Sequence, residues 1–306
     1  MHIEKFDLSG DGRVTLQCYL QHWTTTAGQY PLRSGVLVLP GGGYVMHGAS
    51  EGEPVALAFS AQGYDTFVLR YSTGEHAVFP NAVADAGRAL MLIREHAAGW
   101  NLDSEKIAVC GFSAGGHVAA CLGTMWNRED IRTACGAAEN ENRPDALILG
   151  YPCISADIEG MKGMYKILAG ERDLEELRQI ASADRYVGPD TPPVFLWNMY
   201  QDQMVPVEDG LRFQLALAKY NIPFESHTYQ NGVHGCGLAT PATSIGAAVR
   251  ENAHVARWFT DCCLWLSELF GNPVLDCQQA DLYFPGQSRA HPGVPSIPED
   301  FFQNMN

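Results

Sequence analysis

Residues 107–117 read Ile107-Ala108-Val109-Cys110-Gly111-Phe112-Ser113-Ala114-Gly115-Gly116-His117. A short apolar run of strand type meets a G-x-S-x-G pentapeptide, and the helix formers Val118, Ala119, Ala120, Cys121 and Leu122 follow. In that setting the pentapeptide reads as a nucleophile elbow, a tight strand-to-helix turn that lifts one serine clear of a sheet. Such a turn strains the serine backbone and brings strand and helix close together, so its neighbours two residues away must lack bulk. Gly111 and Gly115 meet that need.

On either side the chain repeats the strand–helix rhythm. Gly35-Val36-Leu37-Val38-Leu39 is apolar throughout and suits a strand buried on both faces. Glu51 to Gln62 is helical in pattern, and Thr66–Leu69 gives the next strand. Pro80 to Ala98 places Ala82, Ala86, Ala89, Ile93 and Ala97 at helical spacing, with proline tolerated at the start. Further strands are expected at Ala146–Leu149, Val194–Trp197 and Phe224–Tyr229, and a helix at Val207–Tyr220. A closing helix is expected over Val249–Phe270, with the stripe Val249, Ala253, Ala256, Phe259, Cys263 and Leu266. Ahead of all this, Ile3, Phe6 and Leu8, the turn Asp11-Gly12, then Val14, Leu16, Cys18 and Leu20 suggest an antiparallel hairpin. The pattern predicts an α/β fold: a mostly parallel central sheet with helices on both faces and an antiparallel N-terminal hairpin. Functional groups in such sheets gather at the carboxyl ends of the strands.

Two segments break the rhythm. Residues 153–190 are too long for a plain connection and are expected to form an insertion above the sheet, a cap candidate. Residues 271–306, rich in Pro, Gly, Gln and Asp, form an irregular C-terminal tail that wraps the domain or meets a second subunit in a homo-oligomer. Residues 1–270 are then one catalytic domain.

The 306 residues carry 20 basic and 35 acidic side chains, a net charge of -15. That balance argues against nucleic acid or an anionic membrane as partner and favours a neutral small molecule. Hydrophobic residues make up 46% and charged ones 18%, the composition of a folded globular chain. The first residues show no signal-peptide pattern, and no apolar stretch is long enough to span a bilayer. Nine cysteines without a repeated C-x-x-C spacing read as thiols in a reducing compartment, with Cys110 and Cys263 in core positions. The expected location is cytoplasmic, and no metal or organic cofactor is called for.

A serine hydroxyl attacks only when a base removes its proton and a third group orients that base. His117 is anchored in the helix after Ser113, His227 lies in a strand, His254 in the last helix and His291 in the tail. His234, in Gln230-Asn231-Gly232-Val233-His234-Gly235-Cys236-Gly237, sits in a glycine-flanked loop directly after the last strand, where a base belongs. Asp202, in Tyr200-Gln201-Asp202-Gln203-Met204-Val205-Pro206, is the first carboxylate past the preceding strand. An aspartate there is also a good turn former. Oxyanion donors are expected from the N–H of Ala114 and from Gly42 and Gly43 in Pro40-Gly41-Gly42-Gly43-Tyr44. That loop lacks the Lys-Ser/Thr of a phosphate-binding motif. Tyr44, His47 and Met204 flank the motifs as candidate pocket residues.

On these pieces, with Thr191-Pro192-Pro193, the chain resembles the α/β-hydrolase superfamily over roughly residues 30–270. It is most similar to bacterial and fungal carbohydrate esterases of the acetylxylan-esterase-like and ferulic-acid-esterase-like kind. The resemblance implies a serine esterase that removes short acyl groups, chiefly acetyl, from sugars or xylo-oligosaccharides. Proline at position 40, where lipase-like relatives carry histidine, points to the carbohydrate-esterase side. The similar dienelactone hydrolases use cysteine where this chain has Ser113. Two other readings remain open at this stage. One is an amidase, peptidase or formamidase-like hydrolase on the same triad; the chain has no room for the propeller that such peptidases usually carry. The other is a hydrolase fold kept for binding alone.

Overall fold

In a computed structural model of the chain, residues 1–21, 32–157 and 162–271 are described. Eight strands form one sheet: β1 (His2–Asp7), β2 (Thr15–Leu20), β3 (Arg33–Leu39), β4 (Asp65–Arg70), β5 (Leu102–Phe112), β6 (Ala146–Gly150), β7 (Val194–Met199) and β8 (Phe224–Tyr229). Their order is β1-β2-β4-β3-β5-β6-β7-β8. The β1–β2 and β2–β4 pairings are antiparallel and all the others parallel, as the hairpin followed by strand–helix alternation implies.

The apolar runs are continuous because both faces of the central strands are covered. Leu37, Leu39, Val109, Leu147, Leu149, Val194 and Leu196 point to one core. Their neighbours Val36, Val38, Ala108, Cys110, Ile148, Phe195 and Trp197 point to the other. This is the two-residue period of a strand with no wet face. Helices α2 (Asn81–Trp100), α3 (Ala114–Met125) and α7 (Val207–Lys219) close the first core, and α1 (Glu53–Ala61) and α9 (Arg257–Phe270) the second. The short helix α4 (Glu129–Cys135) packs beside α2. At the antiparallel end the buried Arg33 Nε donates to Asp65 Oδ2 at 2.9 Å. Removing one partner of such a pair costs about 3–5 kcal/mol.

The closing helix is shorter than its apolar stripe predicts. It begins at Arg257, and Val249, meant to lie on its buried face, is 71% exposed in a short 3-10 turn. The Asn252 side chain accepts the N–H groups of His254 and Val255, drawing the backbone into a turn at the point where helix was expected. Cys263, expected in the core, lies only half-buried, while Trp258, Cys262 and Leu266 fill the core. The described part of the 153–190 stretch carries α5 (Lys162–Ala169), α6 (Leu174–Ile180) and a 3-10 turn that packs on α3. Its root is tied down by Asp209 of α7, which accepts the N–H groups of Ile154 and Ser155 at 3.1 and 2.7 Å. Burial pushes the Asp209 carboxyl up to about 7. Between β8 and α9 lies the short helix α8 (Pro241–Ser244). The tail from 272 onward lies outside the described residues. Among the described residues, no helix is long and apolar enough to cross a membrane.

Candidate active site

Ser113 lies between the end of β5 and the start of α3 with φ 52° and ψ -119°, a positive-φ conformation that a non-glycine residue adopts only under constraint. The constraint is visible in its neighbours. A Cβ on Gly115 would lie 2.1 Å from the Leu39 carbonyl oxygen, and one on Gly111 would lie 2.2 Å from the Gly115 oxygen. Strand and helix cross where no side chain fits, and the crossing holds the serine at the carboxyl edge of the sheet.

From that edge Ser113 Oγ donates to His234 Nε2 at 2.8 Å, and His234 Nδ1 donates to Asp202 Oδ2 at 2.8 Å. An ionised carboxylate only accepts, so the bond to Asp202 places the ring proton on Nδ1 and leaves Nε2 free to accept from the serine. The sequence separates these residues by 121 and 32 positions. The fold unites them because β5, β7 and β8 lie in the same half of the sheet and end at one rim. The Asp202 side chain is buried, and its two oxygens face different partners. Oδ2 faces the imidazole, while Oδ1 accepts the N–H groups of Met204 and Val205 and shapes the turn.

The glycine loop lies directly against the serine: a Cβ on Gly41 would sit 2.8 Å from Ser113 Cβ. Gly42 has φ +127°, and its carbonyl accepts the N–H groups of Val45 and Met46, curling the loop. The N–H of Gly41 is committed to Glu51 Oε2. Gly42 and Gly43, which follow Gly41 in this loop, and Ala114, which follows Ser113, remain the donor candidates. Ala114 is the first residue of α3, where the helix end favours negative charge.

The three candidate pocket residues divide. Met204 is exposed on the Asp202 turn. His47 packs edge-on against Tyr71, and burial together with Arg70 pushes its imidazole down to about 4. Tyr44 belongs to the core rather than to a pocket wall: it is 1% exposed and donates its hydroxyl to His117 Nδ1. His117 in turn donates from Nε2 to the Ala181 carbonyl and packs edge-on against Tyr165, so it is turned away from Ser113. His227 pairs with Glu225, and His254 rests edge-on against Tyr229. The sequence reading overlooked Glu51 and Tyr151, which border the site. Tyr151 directly follows β6, at the strand edge where site residues gather, and this was the available signal. Glu51 was read only as the start of a helix. Among the described residues, no group of three or more His, Cys, Asp and Glu is placed to hold a metal ion.

With this geometry in place, comparison with known proteins gives a family: the BD-FAE family matches residues 20–217. The chain belongs to the BD-FAE family. Its α/β-hydrolase fold and esterase-like relatives agree with that membership. It is 35% identical over 211 residues to an endo-1,4-beta-xylanase B of Butyrivibrio fibrisolvens, an alignment covering 68% of this chain and 33% of that one. It is 27% identical over 241 residues to an acetylxylan esterase of Xylanibacter ruminicola, covering 76% of this chain and 46% of that one. The chain thus spans about a third to a half of the length of these two relatives. Among solved structures, an acetyl ester-xyloside bifunctional hydrolase from Caldicellulosiruptor lactoaceticus superposes with a TM-score of 0.72 at 33% identity, covering 87% of this chain and 92% of that one.

Proposed function

We propose that the protein is a serine esterase that hydrolyses short-chain acyl esters, chiefly acetyl, of sugars or xylo-oligosaccharides. The observation that carries this reading is the unbroken hydrogen-bond chain from Ser113 Oγ through His234 to Asp202. Ser113 Oγ attacks the ester carbonyl carbon while His234 Nε2 takes the hydroxyl proton. The carbonyl oxygen becomes an anion held by N–H groups of Gly42, Gly43 and Ala114; each such donor is worth ~10²–10³ in rate. The C–O bond to the alcohol breaks, and His234 returns its proton to the departing sugar hydroxyl. Water, deprotonated by His234, then attacks the acyl carbon, the bond from that carbon to Ser113 Oγ breaks, and His234 returns the proton to Oγ as the carboxylic acid leaves. Asp202 keeps the imidazole in the Nδ1–H tautomer and stabilises the imidazolium in both halves.

The names of the two xylan-related relatives and of the acetyl ester-xyloside hydrolase support an acetylated xylo-oligosaccharide as substrate. The deciding experiment measures acetate released from a panel of acetylated oligosaccharides by wild type and Ser113→Ala. The reading predicts release by wild type and its loss in the variant. Turnover of acyl-amides with none of esters would replace it with an amidase.

A further inference from the structure

Ser50 and Glu51 lie where the glycine loop meets the loop that carries His234. Glu51 is 3% exposed, and a carboxylate taken so far out of water is tolerated only when its oxygens are occupied. Both are. Oε2 accepts the N–H of Gly41 at 2.8 Å, and Oε1 accepts the Tyr151 hydroxyl at 2.7 Å. The Tyr151 oxygen itself accepts the N–H of Gly237 at 2.9 Å, and its ring lies 4.9 Å from the His234 ring, centroid to centroid. Ser50 Oγ adds a second tie, donating to the Gly235 carbonyl at 3.1 Å. Tyr151 has φ 36°, so its backbone is strained into the position that makes these contacts.

We infer that Glu51 is a positioning residue whose two carboxylate oxygens hold the 40–48 loop and the 232–237 loop in fixed relation across Ser113, with Tyr151 as the link. This rests on the esterase reading, in which the first loop carries oxyanion donors and the second the base. The donors must meet the oxygen of a tetrahedral intermediate while the imidazole meets the serine, and a shift of about 1 Å between such groups costs roughly 10²-fold in rate. A carboxylate suits the task because it accepts on both arms. A glutamine of the same shape accepts on one arm and only donates on the other, so the Tyr151 bond has to reverse and the buried tyrosine O–H loses its acceptor.

The test compares wild type, Glu51→Gln and Tyr151→Phe with p-nitrophenyl acetate and, separately, by amide hydrogen exchange. Each variant is expected to lose about 10- to 100-fold in kcat while KM stays within about twofold. Exchange in the 40–48 and 232–237 segments is expected to rise together. A residue that merely supports the fold would lower the melting temperature without this selective loss of kcat. Wild-type kcat in folded Glu51→Gln overturns the inference, and so does faster exchange in only one of the two segments. If Glu51→Gln does not fold, Tyr151→Phe, which keeps the carboxylate and loses only the hydroxyl, decides by the same two readouts. If wild type turns over no ester, the esterase reading falls by itself, and coupled exchange still judges the clamp.

Discussion

Asp202 divides its carboxylate between a turn and an imidazole, and that division makes it a sharp probe of the proposed chemistry. In Asp202→Asn the amide can offer one oxygen only. Either the Met204 and Val205 N–H groups or the His234 Nδ1–H must then face another donor. With p-nitrophenyl acetate, kcat is expected to drop roughly 10⁴-fold by analogy with the serine-protease aspartate. Ser113→Ala should lose on the order of 10⁶, the loss met when a serine nucleophile is removed. An Asp202→Asn variant with near-native kcat would remove the acid from the mechanism. His117 supplies a second test at this scale. It is buried and neutral, donating from Nε2 and accepting on Nδ1, and burial pushes its imidazole from 6.5 down to about 4. The unfolded chain binds a proton at this residue below pH 6.5 while the folded chain does not. Stability from His117 is therefore present above pH 6.5 and lost as the pH falls towards 4. His117→Leu orphans Tyr44 and Ala181 and is expected to be the less stable protein at pH 7.5. In urea unfolding, its deficit should shrink by up to about 1.4 kcal/mol per pH unit between 6.5 and 4. A deficit independent of pH would show that His117 is not held neutral.

At the scale of elements, the β3–β5–α3 crossing dominates. Gly115→Ala drives a methyl group into the Leu39 carbonyl of a fully buried strand, where neither backbone can yield. The loss of stability is expected at the upper end of the range for overpacking, about 3 kcal/mol. Gly99→Ala is its control: the glycine lies in the last turns of α2, and an added Cβ would meet nothing within 4 Å. It should be neutral or stabilise by up to about 1 kcal/mol. Equal effects in the two variants, measured by urea unfolding, would undo the account of the crossing. The elements that were legible in the sequence are those whose signal is local. The continuous apolar runs located β3, β5, β6 and β7 because alternate residues face two separate cores. The start of α9 was not legible. Val249, Ala253 and Ala256 keep helical spacing, but the Asn252 side chain competes for the backbone, and spacing alone does not register that competition. Tyr44 was misplaced for a related reason. It was a candidate pocket residue because it adjoins the glycine loop, yet its hydroxyl reaches His117 across 73 positions of sequence.

For the whole molecule, strand order settles which distant residues meet. The sequence marked Ser113, Asp202 and His234 through their places at strand ends, and the neighbouring order of β5, β6, β7 and β8 brings those ends to one rim. Glu51 escaped notice because its role depends on that order: it reaches Tyr151 across 100 positions, and no local pattern records the contact. The order also has a kinetic consequence. The hydroxyl and the imidazole are 121 residues apart, and parallel pairings of this kind form slowly because long stretches of chain must close before any contact rewards them. Trp197 on β7 and Trp258 on α9 stack at 5.0 Å and give an optical marker for the docking of the last helix on the sheet. After dilution from urea, the tryptophan signal is expected to reach its native value no later than hydrolysis of p-nitrophenyl acetate does. Catalysis would then report the final joining of the chain's two halves, and its recovery time would clock that event.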